Sequence, residues 1–130
     1  MVRGGSETIL LVEDEPAVLM MAKGILQRLG YQVISATSGD DAVPLWRDQA
    51  AKIDLLLTDM VMPGSLNGRE LAEQLVQEKP GLKVLYTSGY SMDLIGTSLT
   101  AREDFVFLPK PYHPDTLAQM VRKSLDGKTG

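Results

Sequence analysis

The chain has no cysteine among its 130 residues. Disulfide staples, zinc–thiolate centres and thiol nucleophiles are therefore excluded. The absence suits a reducing compartment, and a cytoplasmic location is expected. The single histidine, His113, cannot build a metal cluster, and no phosphohistidine motif surrounds it. It reads as a surface residue near the start of the last helix. No apolar run approaches the roughly 18 residues that would suggest a membrane span. The first six residues are polar and glycine-rich, without a signal-peptide core. An excess of positive charge is also missing: Lys and Arg number 13 against 17 Asp and Glu, a formal net charge of −4. That balance argues against nucleic acid as a direct partner.

What remains fits one domain. A chain of this length buries about two-thirds of its unfolded surface, enough for a core without staples. Residues 7–125 are expected to form that domain, between a disordered lead over 1–6 and a disordered tail over 126–130. No repeat or low-complexity tract interrupts it.

Short β-type runs alternate with longer amphipathic stretches, the pattern of a parallel sheet covered by helices on both faces. Strands are expected at about 8–12, 32–36, 54–58, 83–87 and 105–109, and helices at about 16–29, 39–49, 67–78 and 114–125. Thr8-Ile9-Leu10-Leu11-Val12 and Leu55-Leu56-Leu57-Thr58 are almost uniformly apolar, as central strands buried on both faces should be. Pro16 opens the first helix and Gly30 closes it. Val18, Met21, Ile25 and Leu29 recur at helical spacing as a core-facing stripe. Pro44 falls inside the second helix, which must either begin near Asp41 or kink. The segment 91–104, where a further helix belongs, has weak periodicity and suits a short or mobile one.

Charges sit where three of the strands end. Glu13 and Asp14 follow the first strand, Asp59 the third, and Lys110 the fifth. In a parallel α/β sheet these ends lie side by side at the carboxyl edge, where such folds place ligands. Two carboxylates at ~4 Å repel by about 4 kcal/mol at an effective dielectric near 20. Gathering three suggests a hard divalent cation, with magnesium bound directly by one carboxylate and through water by its neighbour. Taken alone, Glu13-Asp14 also reads as acidic capping of a helix N-terminus, and Asp59 as a turn residue. Beside a divalent cation, however, an aspartate can attack phosphorus and form an acyl phosphate. Thr87-Ser88-Gly89 ends the fourth strand with hydroxyls and a small residue, which suits a phosphoryl contact or a simple cap. Lys110 lies between Pro109 and Pro111, whose fixed φ angles stiffen its surroundings.

Together these residues resemble a two-component response-regulator receiver domain. The acidic pair, the aspartate, the Ser/Thr–small pair and the Lys-Pro occur in the family's order, and the resemblance covers about residues 7–125. It implies a flavodoxin-like (βα)5 doubly wound sheet with strand order 2-1-3-4-5. It implies Asp59 as phosphoacceptor, and Mg2+ held by Asp14, Asp59 and the backbone carbonyl of Val61, with Glu13 acting through water. Lys110 would pair with the phosphoryl group. Ser88 directly precedes Gly89 and stands 22 positions before Lys110, the family spacing, so it is assigned the phosphoryl contact and Thr87 a strand role. Phe107, three positions before Lys110, holds the place of the family's switch residue and equally suits plain core. The segments 62–70 and 86–90 look like receivers attached to, or partnered with, hybrid sensor histidine kinases.

The resemblance implies a histidine kinase or phosphotransfer protein as partner. It further implies a downstream target or an output domain outside this sequence, and a phosphorylation-dependent dimer as a possible state. A flavin-binding protein of the same sheet would need a phosphate loop where Glu13-Asp14-Glu15 stands, and those charges repel phosphate. A phosphatase with an aspartyl-phosphate intermediate needs an acid/base two residues after Asp59, where Val61 cannot transfer protons. A degenerate receiver is disfavoured by the intact acidic pair, aspartate and lysine. The expectation is thus a signalling domain that catalyses only its own Mg-dependent phosphorylation and dephosphorylation.

Overall fold

A computed structural model of the chain describes residues 4–59, 67–88, 106–109 and 113–126. Runs rich in Val, Ile and Leu form β1 (Thr8–Val12), β2 (Gln32–Ala36), β3 (Ile53–Asp59), β4 (Lys83–Ser88) and β5 (Val106–Pro109). They pair in parallel in the order β2-β1-β3-β4-β5, as the doubly wound reading requires. The helices are α1 (Pro16–Arg28), α2 (Gly39–Gln49), α3 (Gly68–Glu78) and a carboxy-terminal helix (Pro114–Asp126). The helix expected over 91–104 lies outside the described residues.

Side-chain alternation along the central strands divides the core. Leu10, Val12 and Leu56 pack with Ala42 and Trp46 of α2 and with Leu71, Ala72 and Leu75 of α3. Ile9, Leu11, Leu55 and Leu57 pack on the other face with Ala22 and Leu26 of α1 and with Leu117 and Val121 of the carboxy-terminal helix. Fully burying a side chain such as leucine is worth about 1.5–3 kcal/mol, so these two layers carry most of the fold. β3 begins one residue earlier than expected because its ladder with β1 shifts register there. Thr8 pairs with Ile53 and Ile9 with Leu55. The bypassed Asp54 turns its carboxylate to accept the Thr8 N–H at 3.0 Å.

Two local features differ from expectation, and a third agrees. Met21 is not in the core stripe of α1: it is 40% exposed and Met20 is 74% exposed. The buried positions are Ala22 and Leu26, flanked by Val18, Ile25 and Leu29, so the stripe is rotated toward the smaller residue. α2 spans Gly39–Gln49, the range expected: it starts after Ser38 Oγ accepts the Asp41 N–H at 3.1 Å and runs on through Pro44, so the alternative start near Asp41 is not taken. A strong N-cap sets the start even though proline cannot supply one helical bond. The boundaries of the domain also move outward. Gly5 N–H donates to the Leu29 carbonyl at 3.1 Å, so the lead is attached before residue 7. Asp126 is the last residue of the carboxy-terminal helix rather than part of the tail.

The helix ends use chemistry visible in the sequence. Gly30 adopts φ +99°. This lets Gly30 N–H reach the Gln27 carbonyl and Tyr31 N–H reach that of Leu26, the paired bonds of a Schellman ending. Asn67 and Glu70 form a reciprocal capping box that starts α3.

Candidate functional site

Parallel pairing brings the ends of β1 and β3 together, with Val12 opposite Thr58. Glu13 and Asp14 leave β1 at that edge, and Asp59 is the last residue of β3. One carboxylate oxygen from each of the three lies within 4.8 Å of the others. Glu13 and Asp59 are 2% and 4% exposed, while Asp14 is half-buried.

Backbone contacts hold Glu13 in place. Its N–H donates to the Ala36 carbonyl at the end of β2, 3.1 Å away. Its Oε2 accepts the Glu15 N–H at 3.0 Å, where α1 begins. Glu13 thus braces the loop that leads into α1, whose own N-cap, Glu15, makes no side-chain capping bond, and it belongs to the acidic cluster. Ala36 was not among the candidate site residues. Its part is played by a backbone carbonyl that topology alone brings in, so its side-chain type carries no signal. Thr58 Oγ1 donates to the Asp59 carbonyl at 3.0 Å, which fixes the last peptide of β3.

The β4 side is placed by register. Asp59 stands opposite Thr87, and Ser88 opposite Pro109, the residue before Lys110. Phe107 pairs with Tyr86. The backbone therefore sets Ser88 beside the end of β5 at the same edge as the carboxylates. Val61 and Lys110 lie outside the described residues. His113 is exposed, as expected, and its carbonyl accepts the Leu117 N–H at 3.0 Å to start the carboxy-terminal helix.

At 4.8 Å and an effective dielectric of 20, two carboxylates repel by about 3–4 kcal/mol. The donor set is all oxygen, which suits a hard cation such as magnesium and not a thiophilic metal. On that chemistry the residues fit the metal site of the expected family. The model of the response regulator receiver domain family matches residues 9–122.

The chain belongs to that family.

This receiver domain is 38% identical over 122 residues to the sensor kinase CckA of Brucella abortus (strain 2308), covering 94% of the chain and 13% of that protein. It is 32% identical over 117 residues to the response regulator receiver protein CpdR of the same organism, covering 90% of the chain and 95% of CpdR. Among solved structures, the receiver domain of the hybrid histidine kinase CckA superposes with a TM-score of 0.76 at 34% identity, covering 91% of this chain and 98% of that one. A receiver domain protein from Methanospirillum hungatei JF-1 gives 0.78 at 30% identity, covering 95% and 96%. The chain thus spans a small part of CckA and nearly all of CpdR. It is a signalling domain of two-component systems, and the phosphoacceptor role is general for its family. Receiver domains of this kind interact with histidine kinases or phosphotransfer proteins. Among the described residues no helix is long and apolar enough to cross a membrane.

Proposed function

We propose that Asp59 accepts a phosphoryl group from phosphohistidine on a partner kinase or phosphotransfer protein, with Mg2+ in the acidic cluster, and so switches a protein-interaction face. The observation that carries this reading is the convergence of Glu13, Asp14 and Asp59 oxygens within 4.8 Å, at the edge where β4 and β5 bring Ser88 beside Pro109. Asp14, Asp59 and the Val61 carbonyl would hold the ion, with Glu13 reaching it through water. Bound there, the ion would supply positive charge against the phosphoryl oxygens.

The protein's own groups do the rest. Asp59 is buried at the end of a rigid central strand, so its carboxylate is presented in one orientation. An oxygen of Asp59 attacks phosphorus in line. The bond from phosphorus to the histidine nitrogen breaks, its electron pair leaves with the imidazole, and a proton from solvent completes the neutral ring. Lys110 pairs with the transferred group and Ser88 donates a hydrogen bond to it. Those contacts favour one of two pre-existing arrangements of the face running from β4 to the carboxy-terminal helix, with Phe107 as the candidate switch residue. The signal then passes to a target protein, to an output domain elsewhere in a longer chain, or into a phosphorylation-dependent dimer. Water attacking phosphorus breaks the bond to the Asp59 oxygen and releases inorganic phosphate, but slowly, so reset relies on a phosphatase or on return of the phosphoryl group to the kinase.

The test is phosphorylation by acetyl phosphate or a phosphorylated histidine kinase in the presence of Mg2+. The wild type should gain one acid-stable, base-labile phosphoryl group on Asp59, and Asp59→Asn should gain none. Phosphate found on Ser88 or Thr87 by mass spectrometry after reductive trapping overturns the mechanism.

A further inference from the structure

At the amino edge of the sheet, away from the carboxylates, Arg122 of the carboxy-terminal helix gathers four residues. Its Nη2 and Nη1 donate to the two carboxylate oxygens of Glu7 at 2.6 and 3.0 Å. Its Nε and Nη2 donate to Asp126 Oδ1 at 3.1 and 2.8 Å. Nη1 also reaches the Gly4 carbonyl and the Tyr31 hydroxyl, both at 3.3 Å. A bidentate pair of this kind is strong and geometrically selective. The Arg122 and Glu7 side chains are only 15% and 30% exposed. The bond to Arg122 holds the Glu7 carboxyl below the usual carboxylate range, and burial pushes the Tyr31 hydroxyl up.

The lead lies directly over this pair, and its glycines make that possible. A Cβ on Gly5 would sit 2.1 Å from Glu7 Oε1 and 2.5 Å from Arg122 Nη1. On Gly4 it would sit 2.0 Å from the Leu29 carbonyl oxygen. Neither glycine has a positive φ, since Gly30 alone does among the described residues. Glycine serves here for close approach, not for a turn. Gly5 N–H closes the contact on Leu29.

We propose that residues 4–7 are a strap that latches the carboxy-terminal helix: seated, it covers the Arg122–Glu7 pair and holds the helix's last turns against the sheet; displaced, it frees them. The helix is a sensitive place to act. It packs against β4 and β5, the strands that carry Ser88 and lead to Lys110. Its Leu117 and Val121 share an apolar layer with Tyr31, so loosening Arg122 disturbs packing as well as charge. Displacement of the lead thereby shifts the mobility of the face that the phosphoryl switch is proposed to use. Only this last consequence rests on the proposed function; the latch itself does not.

Hydrogen exchange at the backbone amides of residues 117–126 tests it in the intact chain. Gly5→Ala and Arg122→Met should each raise exchange there by at least about tenfold, the effect of losing one charge-assisted bond. The double variant should show no rise beyond that of Arg122→Met alone, because that change already removes the Arg122–Glu7 pair that Gly5→Ala displaces. Exchange in β1 and β3, and magnesium affinity by calorimetry, should stay at wild-type values. If Arg122→Met does not fold, Glu7→Gln paired with Gly5→Ala gives the same reading. Unchanged exchange in Gly5→Ala overturns the latch, as do effects that multiply in the double variant. Loss of magnesium affinity in Gly5→Ala marks general loosening and overturns it too.

Discussion

The indole N–H of Trp46 donates to Glu78 Oε1 at 3.1 Å, joining the middle of α2 to the end of α3. Trp46 is 1% exposed, so its one polar atom depends on that carboxylate. Glu78→Ala leaves a buried donor without its acceptor and should destabilise the domain by about 1–3 kcal/mol. Glu78→Gln keeps an acceptor and should lose less. Urea unfolding followed by Trp46 fluorescence measures both. Equal stability of the alanine variant and the wild type would show that water replaces the carboxylate at no cost.

Gly24 sits inside α1, and a Cβ built there meets nothing within 4 Å. Its φ is not positive, so no turn requires it. Gly24→Ala should therefore raise stability by about 0.5–1 kcal/mol, the helix-propensity gain of alanine over glycine. The gain should appear as a higher Tm in thermal unfolding. A lower Tm would mean that the exposed side of α1, which also carries Met20 and Met21, makes a contact in solution.

Much of the fold was readable because the informative residues act locally. Uniform apolar runs marked β1 and β3, and Gly30 marked the end of α1. The convergence of Glu13, Asp14 and Asp59 was readable for a different reason: they stand at the carboxyl ends of neighbouring parallel strands. The misreadings have physical causes. Met21 has the hydrophobicity of a core residue, but α1 turns its seam through Ala22, which allows closer approach to the sheet. The lead looked unstructured from Gly4-Gly5, and those glycines prove to be close-packing residues. Arg122 could not be assigned from sequence, because its partners Glu7 and Tyr31 lie far away along the chain and only the completed fold brings them together.

Glu7 gives a pH prediction. Its folded pKa lies below the unfolded value of ~4.3, chiefly through the bond to Arg122, with burial opposing. A carboxyl shifted in this direction adds stability that is present above the unfolded pKa and lost as pH falls through the folded one. At pH 7, Glu7→Gln should cost about 1–3 kcal/mol, in the range for a hydrogen bond to a charged group. As pH falls below ~4.3 the gap between variant and wild type should close. Chemical unfolding at a series of pH values reads the gap directly. A gap that stays constant down to pH ~3 would mean that Glu7 acts through packing and not through its charge.

Asp14 is the half-buried member of the cluster and the one most easily removed without a packing defect. In the metal-free protein its charge faces Glu13 and Asp59 across less than 4.8 Å. Asp14→Ala relieves that repulsion, and solvent around this edge screens part of it, so the metal-free variant should gain on the order of 1 kcal/mol. Magnesium should reverse the ranking. A ligand at one hundred times its Kd stabilises the state it binds by about 2.7 kcal/mol. The wild type should receive that increment and the variant, lacking a direct oxygen ligand, should not. Thermal unfolding of both proteins with and without Mg2+ should therefore give curves that change order: the variant higher without the ion, the wild type higher with it. Calorimetric titration should show binding to the wild type alone. If Mg2+ raises Tm equally in both, Asp14 is not a ligand and the ion sits elsewhere. If the metal-free variant is the less stable of the two, the three carboxylates are not the strained group that their spacing implies.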